Sequence, residues 1–317
     1  MISITQLFQF SMNKSILRLY ILPNFAYKVF TTVVTQQSFY KASLQLNVTP
    51  SAVSHSITQL ETTLGFPLFI RSRTGMRLTD DGQYILPYIQ EIINADDKLL
   101  QIADNIKGLH AGNIRIGAFS RVCVNWLPHI IRSFSQKYPK IKIAIAQGSF
   151  SDISKKTNVG EIDIGFTTLP VDENLIVLPL ISDPIRCVTP SSFVPKNRHS
   201  ITKDDLIGQK FILQKMDYDR DTKLALDYYN VELNSINFSI DDQSIISMVE
   251  AGIGLGILPD LALNKLNGDI NVYPFSETFT RQVALVVNKN QMTSPSVAAM
   301  VKHIEDFIKN SIVKSSL

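Results

Sequence analysis

Four side chains near the start of the chain, Ser51, Ser54, His55 and Thr58, share one face if the segment that carries them is helical. All are short or planar hydrogen-bonding groups, and none is an acid. Such a face suits the major groove of a duplex, where base edges offer donors and acceptors and phosphates repel carboxylates. An ordinary helical hairpin with a solvated face would show the same pattern. The next stretch of chain weighs toward nucleic acid: Arg71, Arg73 and Arg77 lie along a short segment with Thr74-Gly75 at its tip. Three arginines on a small ribbon can grip phosphates on either side of a groove. A second chemistry is readable further on. Ser120 and Arg121 come after an apolar strand and open a helix, where free amides and a guanidinium can hold an anion. Ser149 and Thr167 come from the ends of neighbouring strands and Gln214 from a later unit, so a cleft could close over a small molecule.

Catalytic and metal chemistry find no such pattern. The five histidines, His55, His110, His129, His199 and His303, lack metal-ligand spacing. There is no GxSxG elbow, P-loop or HExxH. Gly252 to Gly256 (GIGLG) precedes a strand, the reverse of a dinucleotide loop, and reads as a tight turn. Asp241-Asp242 stands before a helix, where acids are favoured structurally. No cofactor or metal is expected, and no enzyme activity.

The elements that must position the DNA-reading face are legible from Ser38 to Gly65. Thr49 is an N-cap residue, Pro50 fits the first helical position, and Gly65 closes the end. Val53, Ile57, Leu60 and Leu64 form one apolar stripe on the opposite side. A shorter helix from Phe39 to Leu46 packs through Ala42 and Leu46, and Asn47-Val48 turns the chain, which makes a helix-turn-helix. A first helix over Phe25–Gln36 buries Ala26, Val29, Phe30, Val33 and Val34.

The stretch SFYKASLQLNVTPSAVSHSITQLETTLGFPLFIRSRTGMRLTDDG resembles the winged helix-turn-helix of the LysR-type transcriptional regulators. The matching features are the Ala42 helix, Ser54, Leu60-Glu61, Leu64-Gly65, Leu68-Phe69, Arg71, Leu78-Thr79 and Gly82. His55 stands where the family often has Arg, and Pro50-Ser51 where it often has Gln-Pro; these departures bear on base preference and not on fold. The resemblance begins near Leu22 and runs, more loosely, to the C-terminus. It implies an α/β protein: a winged helix-turn-helix over 22–82, a dimerising linker helix over 83–110, and an effector domain over 112–317. That domain would have two subdomains of periplasmic-binding-protein type, the first about 112–183 with 275–317 and the second about 184–274. The implied partners are double-stranded promoter DNA, a small effector such as an organic acid or amino acid, further copies of the chain as dimer or tetramer, and RNA polymerase.

The residues themselves support the linker. From Gln83 to His110, 28 residues would span about 42 Å of helix. Ile85, Ile89, Ile92, Asp96, Leu99, Ala103 and Ile106 alternate steps of four and three, with a second stripe at Leu86, Ile93 and Leu100, a heptad pattern that asks for a partner helix. Pro87 is expected to kink it.

Past Ala111-Gly112 the pattern alternates strand and helix: strands at Ile114–Phe119, 141–145 and Ile162–Thr167, helical faces between them, and a second such unit after Pro184. That order reads as parallel α/β, with ligands at the carboxyl ends of strands.

Bulk composition sets the remaining limits. The chain has 317 residues, 45% hydrophobic and 19% charged, a globular balance for more than one domain. Its net charge is +3, yet Asn24 to Thr79 holds Lys28, Lys41, Arg71, Arg73 and Arg77 against Glu61 alone. The basic excess sits in the DNA-reading segment. Cys123 and Cys187 are too few for a disulfide framework and fit a reducing cytosol. Residues 1–21 carry no recognised motif; Lys14 and Arg18 precede LYILP, but no small-residue cleavage site comes after it. No run long enough to span a membrane is present. The alternative function is a solute-binding module whose N-terminal helices only dimerise.

Overall fold

The structure, a computed structural model, describes residues 25–72, 75–106, 111–171, 174–214, 219–231, 235–238, 242–264 and 268–315. The chain divides at Leu99–Leu100 into two compact units.

In the first unit, α1 (Phe25–Gln36), α2 (Phe39–Leu46) and α3 (Pro50–Leu64) pack on a two-stranded ribbon of β1 (Phe69–Ser72) and β2 (Gly75–Leu78). Each helix end has a chemical reason. Ser38 accepts a bond from the Lys41 amide, and Thr49 from that of Ala52, with Pro50 just inside. α2 stops at Asn47, left-handed at φ 54°, and α3 at Gly65, left-handed at φ 85°. Val29, Phe30, Val33, Ala42, Val53, Ile57, Leu60 and Leu68 form the core, joined by Ile89 and Ile93 of the next helix.

That helix, α4 (Asp80–Ile106), has 27 residues. Asp80 and Asp81 occupy its first turn, where the helix dipole favours acids. Thr79 takes a bond from the Gly82 amide and gives one to Pro67 O. A side chain at Gly82 would collide with Leu68 O, so only glycine lets the helix start this close to the ribbon. The helix runs through Pro87 without interruption.

In the second unit, β3 (Gly112–Ala118) pairs in parallel with β4 (Ile141–Gln147) and with β5 (Ile164–Thr168). α5 (Ser120–Asn125), α6 (Leu127–Lys137) and α7 (Phe150–Asn158) connect them. The sheet is not purely parallel: β11 (Thr280–Asn288) adds antiparallel to β5, and β6 (Leu175–Pro190) antiparallel to β11. β6 is one strand of 16 residues that runs straight through Pro184, where the sequence pattern begins a second unit. Pro179 and Pro184 look like breaks, but Pro179 sits beside a bulge in the β6–β11 ladder, and Pro184 is where β6 leaves β11. Both are positions where a missing N–H is tolerated.

The second half of β6 pairs with β10 (Ile270–Pro274) on one side and β9 (Gly256–Pro259) on the other. β7 (Phe211–Gln214) and β8 (Ser235–Phe238) form a parallel pair beside them. α8 (Lys203–Leu206), α9 (Arg220–Tyr228), α10 (Asp242–Glu250) and α11 (Asp260–Leu263) complete this half. α12 (Pro295–Ser315) returns to the first half, burying Val297, Met300, Val301, Ile304 and Ile308 with Ile116, Ile130 and Phe134. A separate core gathers Cys187, Phe211, Leu226, Tyr229 and Phe275 in the second. Two cores on two crossing strands, β6 and β11, define a cleft-bearing α/β domain.

Candidate functional site

The four side chains expected to read DNA lie on α3. Ser51, His55 and Thr58 are exposed and Ser54 half-buried, while Val53, Ile57 and Leu60 point the other way into the core. Thr58 Oγ donates to Ser54 O at 3.0 Å, which holds its methyl and lone pairs in one orientation. Glu61, the lone acid of the segment, is turned away from that face. Its Oε1 accepts from the Leu68 and Phe69 amides at 2.7 and 3.3 Å, tying the start of β1 to the recognition helix. The carboxylate thus orients the ribbon. On the ribbon, Arg77 is exposed and lies across from Ile70. Arg71 lies on β1 opposite Met76. Its side chain and all of Arg73 lie outside the described residues.

The residues expected to hold an effector fall mostly at the carboxyl ends of β3, β4 and β5. Ala118 and Gln147 are register partners, so the starts of α5 and α7 are neighbours, and Phe119 and Phe150 pack with ring centroids 4.9 Å apart. Ser120 is exposed at the first position of α5; the cap position is Phe119, with no side-chain cap bond. Ser149 caps α7 through the Asp152 amide. Thr167 is buried, donating to Phe150 O and accepting from Ser154 Oγ. The structure therefore places Ser120, Ser149 and Thr167 along one sheet edge. Gln214 ends β7, and its side chain lies outside the described residues.

Arg121 is buried, and its Nε donates to Asp242 at 2.6 Å. Four residues on, Asn125 donates to Leu261 O at 3.0 Å. α5 thus fastens the first half of the domain to α10 and α11 of the second.

At the centre of the cleft lies a group that sequence reasoning missed. Arg281 of β11 is only 4% exposed. It meets Asp183 of β6 at 2.8 Å and Asp219, the N-cap of α9, at 3.2 Å. Its guanidinium also lies over the rings of Phe119 and Phe150, at 5.5 and 5.7 Å. Burial pushes the Asp183 carboxyl up, against the pull of Arg281 and of the Leu261 amide. Asp219 accepts in addition from the Asp221 and Thr222 amides and the Thr222 hydroxyl. The signal was a lone acid and a lone cation in apolar strands, LISDPI and TFTRQV.

Beside this network a cavity of about 520 Å³ opens. Its walls include Ser151, Ser154 and Lys155 on α7, the segment from Thr167 at the end of β5 to Val171, and Asp219-Arg220 at the start of α9. Among the described residues no His, Cys, Asp and Glu cluster could hold a metal ion, and no helix is long and apolar enough to cross a membrane.

Comparisons with known proteins bear on both sites. A family model described as "Bacterial regulatory helix-turn-helix protein, lysR family" matches residues 26–83, and one described as "LysR substrate binding domain" matches residues 107–308. The chain is 31% identical over 240 residues to the HTH-type transcriptional regulator YvbU of Bacillus subtilis (strain 168), covering 75% of this chain and 82% of that one. It is 27% identical over 277 residues to the probable HTH-type transcriptional regulator LrrA of Synechococcus elongatus, covering 86% and 93%. Its fold resembles a full-length OxyR variant from Pseudomonas aeruginosa, with TM-score 0.72, 23% identity and coverage of 91% and 95%. It also resembles CbnR complexed with its target DNA, with TM-score 0.59, 16% identity and coverage of 90% and 100%. These relatives are regulators and not enzymes. The chain belongs to the LysR family: it is a transcriptional regulator with a DNA-binding helix-turn-helix and an effector-binding domain.

Proposed function

We propose that the chain binds a partly palindromic promoter site as a homo-oligomer in the cytoplasm, with Ser51, Ser54, His55 and Thr58 reading bases. Arg71, Arg73 and Arg77 hold the flanking phosphates. The observation that carries this is the acid-free face of α3, with the lone carboxylate, Glu61, drawn off to anchor the ribbon. Self-association runs through α4. Tyr84, Tyr88, Ile92, Leu99, Ile102 and Ile106 recur at steps of three, four and seven and are all exposed, from 38% at Ile102 to 83% at Ile106. A stripe of that length and spacing fits a second copy of the same helix.

An effector, an organic acid or amino acid, enters at the sheet edge that carries Ser120, Arg121, Ser149 and Thr167, with Gln214 at the end of β7 as a contact from the second half. A ligand that binds one cleft geometry better than another shifts the paired DNA heads accordingly, and the heads present the promoter to RNA polymerase.

Fluorescence anisotropy on duplex from immediately upstream of the gene, against a scrambled duplex and with salt varied, tests the reading. Binding that survives at salt where the scrambled duplex releases is the expected result. Absence of binding to either duplex at low salt would return the chain to the solute-binding alternative.

A further inference from the structure

The apolar stripe that α4 offers for self-association is interrupted by an acid. Ile92, Asp96 and Leu99 stand at steps of four and three, on one face of the helix. Ile92 is 43% exposed and Leu99 64%. Between them, the side chain of Asp96 is only 12% exposed. One heptad earlier, Ile89 is sunk in the core of the DNA-binding unit. Asp96 therefore marks the point where the helix leaves that core and its apolar face becomes available to a second helix.

The carboxylate at this point is poorly provided for. Its Oδ2 is buried and forms no hydrogen bond among the described residues. Its ion-pair partner is Lys28 of α1, with Nζ at 3.7 Å, too far for a hydrogen bond. That ammonium is shared with Asp97, at 3.9 Å. A second helix laid on Ile92 and Leu99 would also cover Asp96. Under an apolar side chain the carboxylate loses water and gains no partner, which is costly. A wholly apolar seam accepts several registers one heptad apart, and a single polar group in it makes them unequal.

We propose that Asp96, backed by Lys28, fixes the register in which α4 pairs with the α4 of a second copy. The proposal rests on self-association through α4 and adds what selects among the possible pairings. Registers that leave a donor or water at Oδ2 are kept, and those that seal it under an apolar side chain are rejected. The occupant is a second copy because its stripe has the same length, spacing and polar break. Two copies can therefore place both breaks alike, as a two-fold pair requires. Lys28 belongs to α1 of the DNA-binding unit, so the acid that sets the register is held by the head itself. The distance between two heads, and with it the half-site spacing they fit, then depends on the residue that chooses the pairing.

The test is sedimentation velocity on the full-length protein over a range of concentrations, with anisotropy on the promoter duplex and its scrambled control. The parent is expected to form one discrete oligomer. Asp96→Leu should associate about tenfold more tightly, yet as several species. Its affinity for the promoter duplex should fall toward that for the scrambled one, because misplaced heads no longer meet both half-sites. Asp96→Asn keeps a polar group without the charge and should keep one species with parental promoter affinity. Lys28→Ala strips the carboxylate of its cation and should weaken association by about tenfold. If Asp96→Leu precipitates, Lys28→Ala decides. Parental association in Lys28→Ala, or a single species with parental promoter affinity in Asp96→Leu, overturns the proposal and leaves self-association through α4 standing. A parent that stays monomeric at every concentration sinks self-association through α4, and the proposal with it.

Discussion

The two working surfaces of this chain handle polar groups in opposite ways. On α3 the side chains proposed to read bases face water, Ser54 only in part. In the cleft the strongest polar groups face each other. Arg281, Asp183 and Asp219 are all nearly dry and joined across 98 and 62 residues of sequence. The contrast teaches where specificity can be altered cheaply. An outward face sits on a helix whose stability comes from caps and an apolar stripe on the other side, so its residues can change without unfolding anything. The cleft centre cannot be edited one residue at a time, because each group is the counter-charge of another.

The sharpest way to break that comparison is Arg281→Ala. It leaves two buried carboxylates without their cation, and about 3–5 kcal/mol of stability should be lost. Urea denaturation would show it. Restoring the balance with Arg281→Met, Asp183→Asn and Asp219→Asn together should recover most of the loss, since neutral groups need no counter-charge. A single alanine variant as stable as the parent would mean the network is not what holds the cleft.

On the outward face the expected effects fall on binding alone. Arg77→Ala should flatten the slope of log affinity against log salt by about 0.9, the value for one phosphate contact, on specific and scrambled duplexes alike. His55→Ala should cost about 1–3 kcal/mol on the specific duplex and nothing on the scrambled one. Unfolding midpoints unchanged in both variants would complete the contrast. Smallest of the set is Thr49→Ala, which removes the cap of α3 and should lower stability by about 1 kcal/mol with no change in salt slope.

The thiols give a further contrast. Burial pushes up both Cys123 and Cys187, the second strongly. Neither is a thiolate at neutral pH, so iodoacetamide should leave promoter binding unchanged in the native protein. Rapid alkylation with accompanying loss of binding would contradict the burial that keeps them protonated.

Legibility in the sequence divides along the same line. The cap Thr49, the stop at Gly65 and the stripe of α3 are local, each fixed within a few residues, and the sequence displays them directly. α1 appears with the bounds its periodicity predicts, Phe25–Gln36. The cleft was legible only as strand ends. Ser120, Ser149 and Thr167 do gather on one edge because parallel strands put their carboxyl ends together. The pairing of Arg121 with Asp242 and of Arg281 with Asp183 was not readable, because it depends on two halves folding against each other. Proline hid β6 for a related reason: Pro179 sits beside a bulge that β6 forms only where it pairs with β11, a strand more than a hundred residues away.

Near the end of α4, Gln101 is buried, and its carbonyl oxygen receives the hydroxyls of both Ser294 and Ser296, at the entry to α12. A side chain at Gly112 would press on the same glutamine. This small knot has a practical meaning for anyone who divides the protein. The last turns of the linker belong, by their contacts, to the sensor. A shortened sensor that starts at Ala111, where the strand pattern begins, would bare a slot shaped for an amide and leave the two serines that face it only each other. One that starts a turn or more before Gln101 keeps its plug.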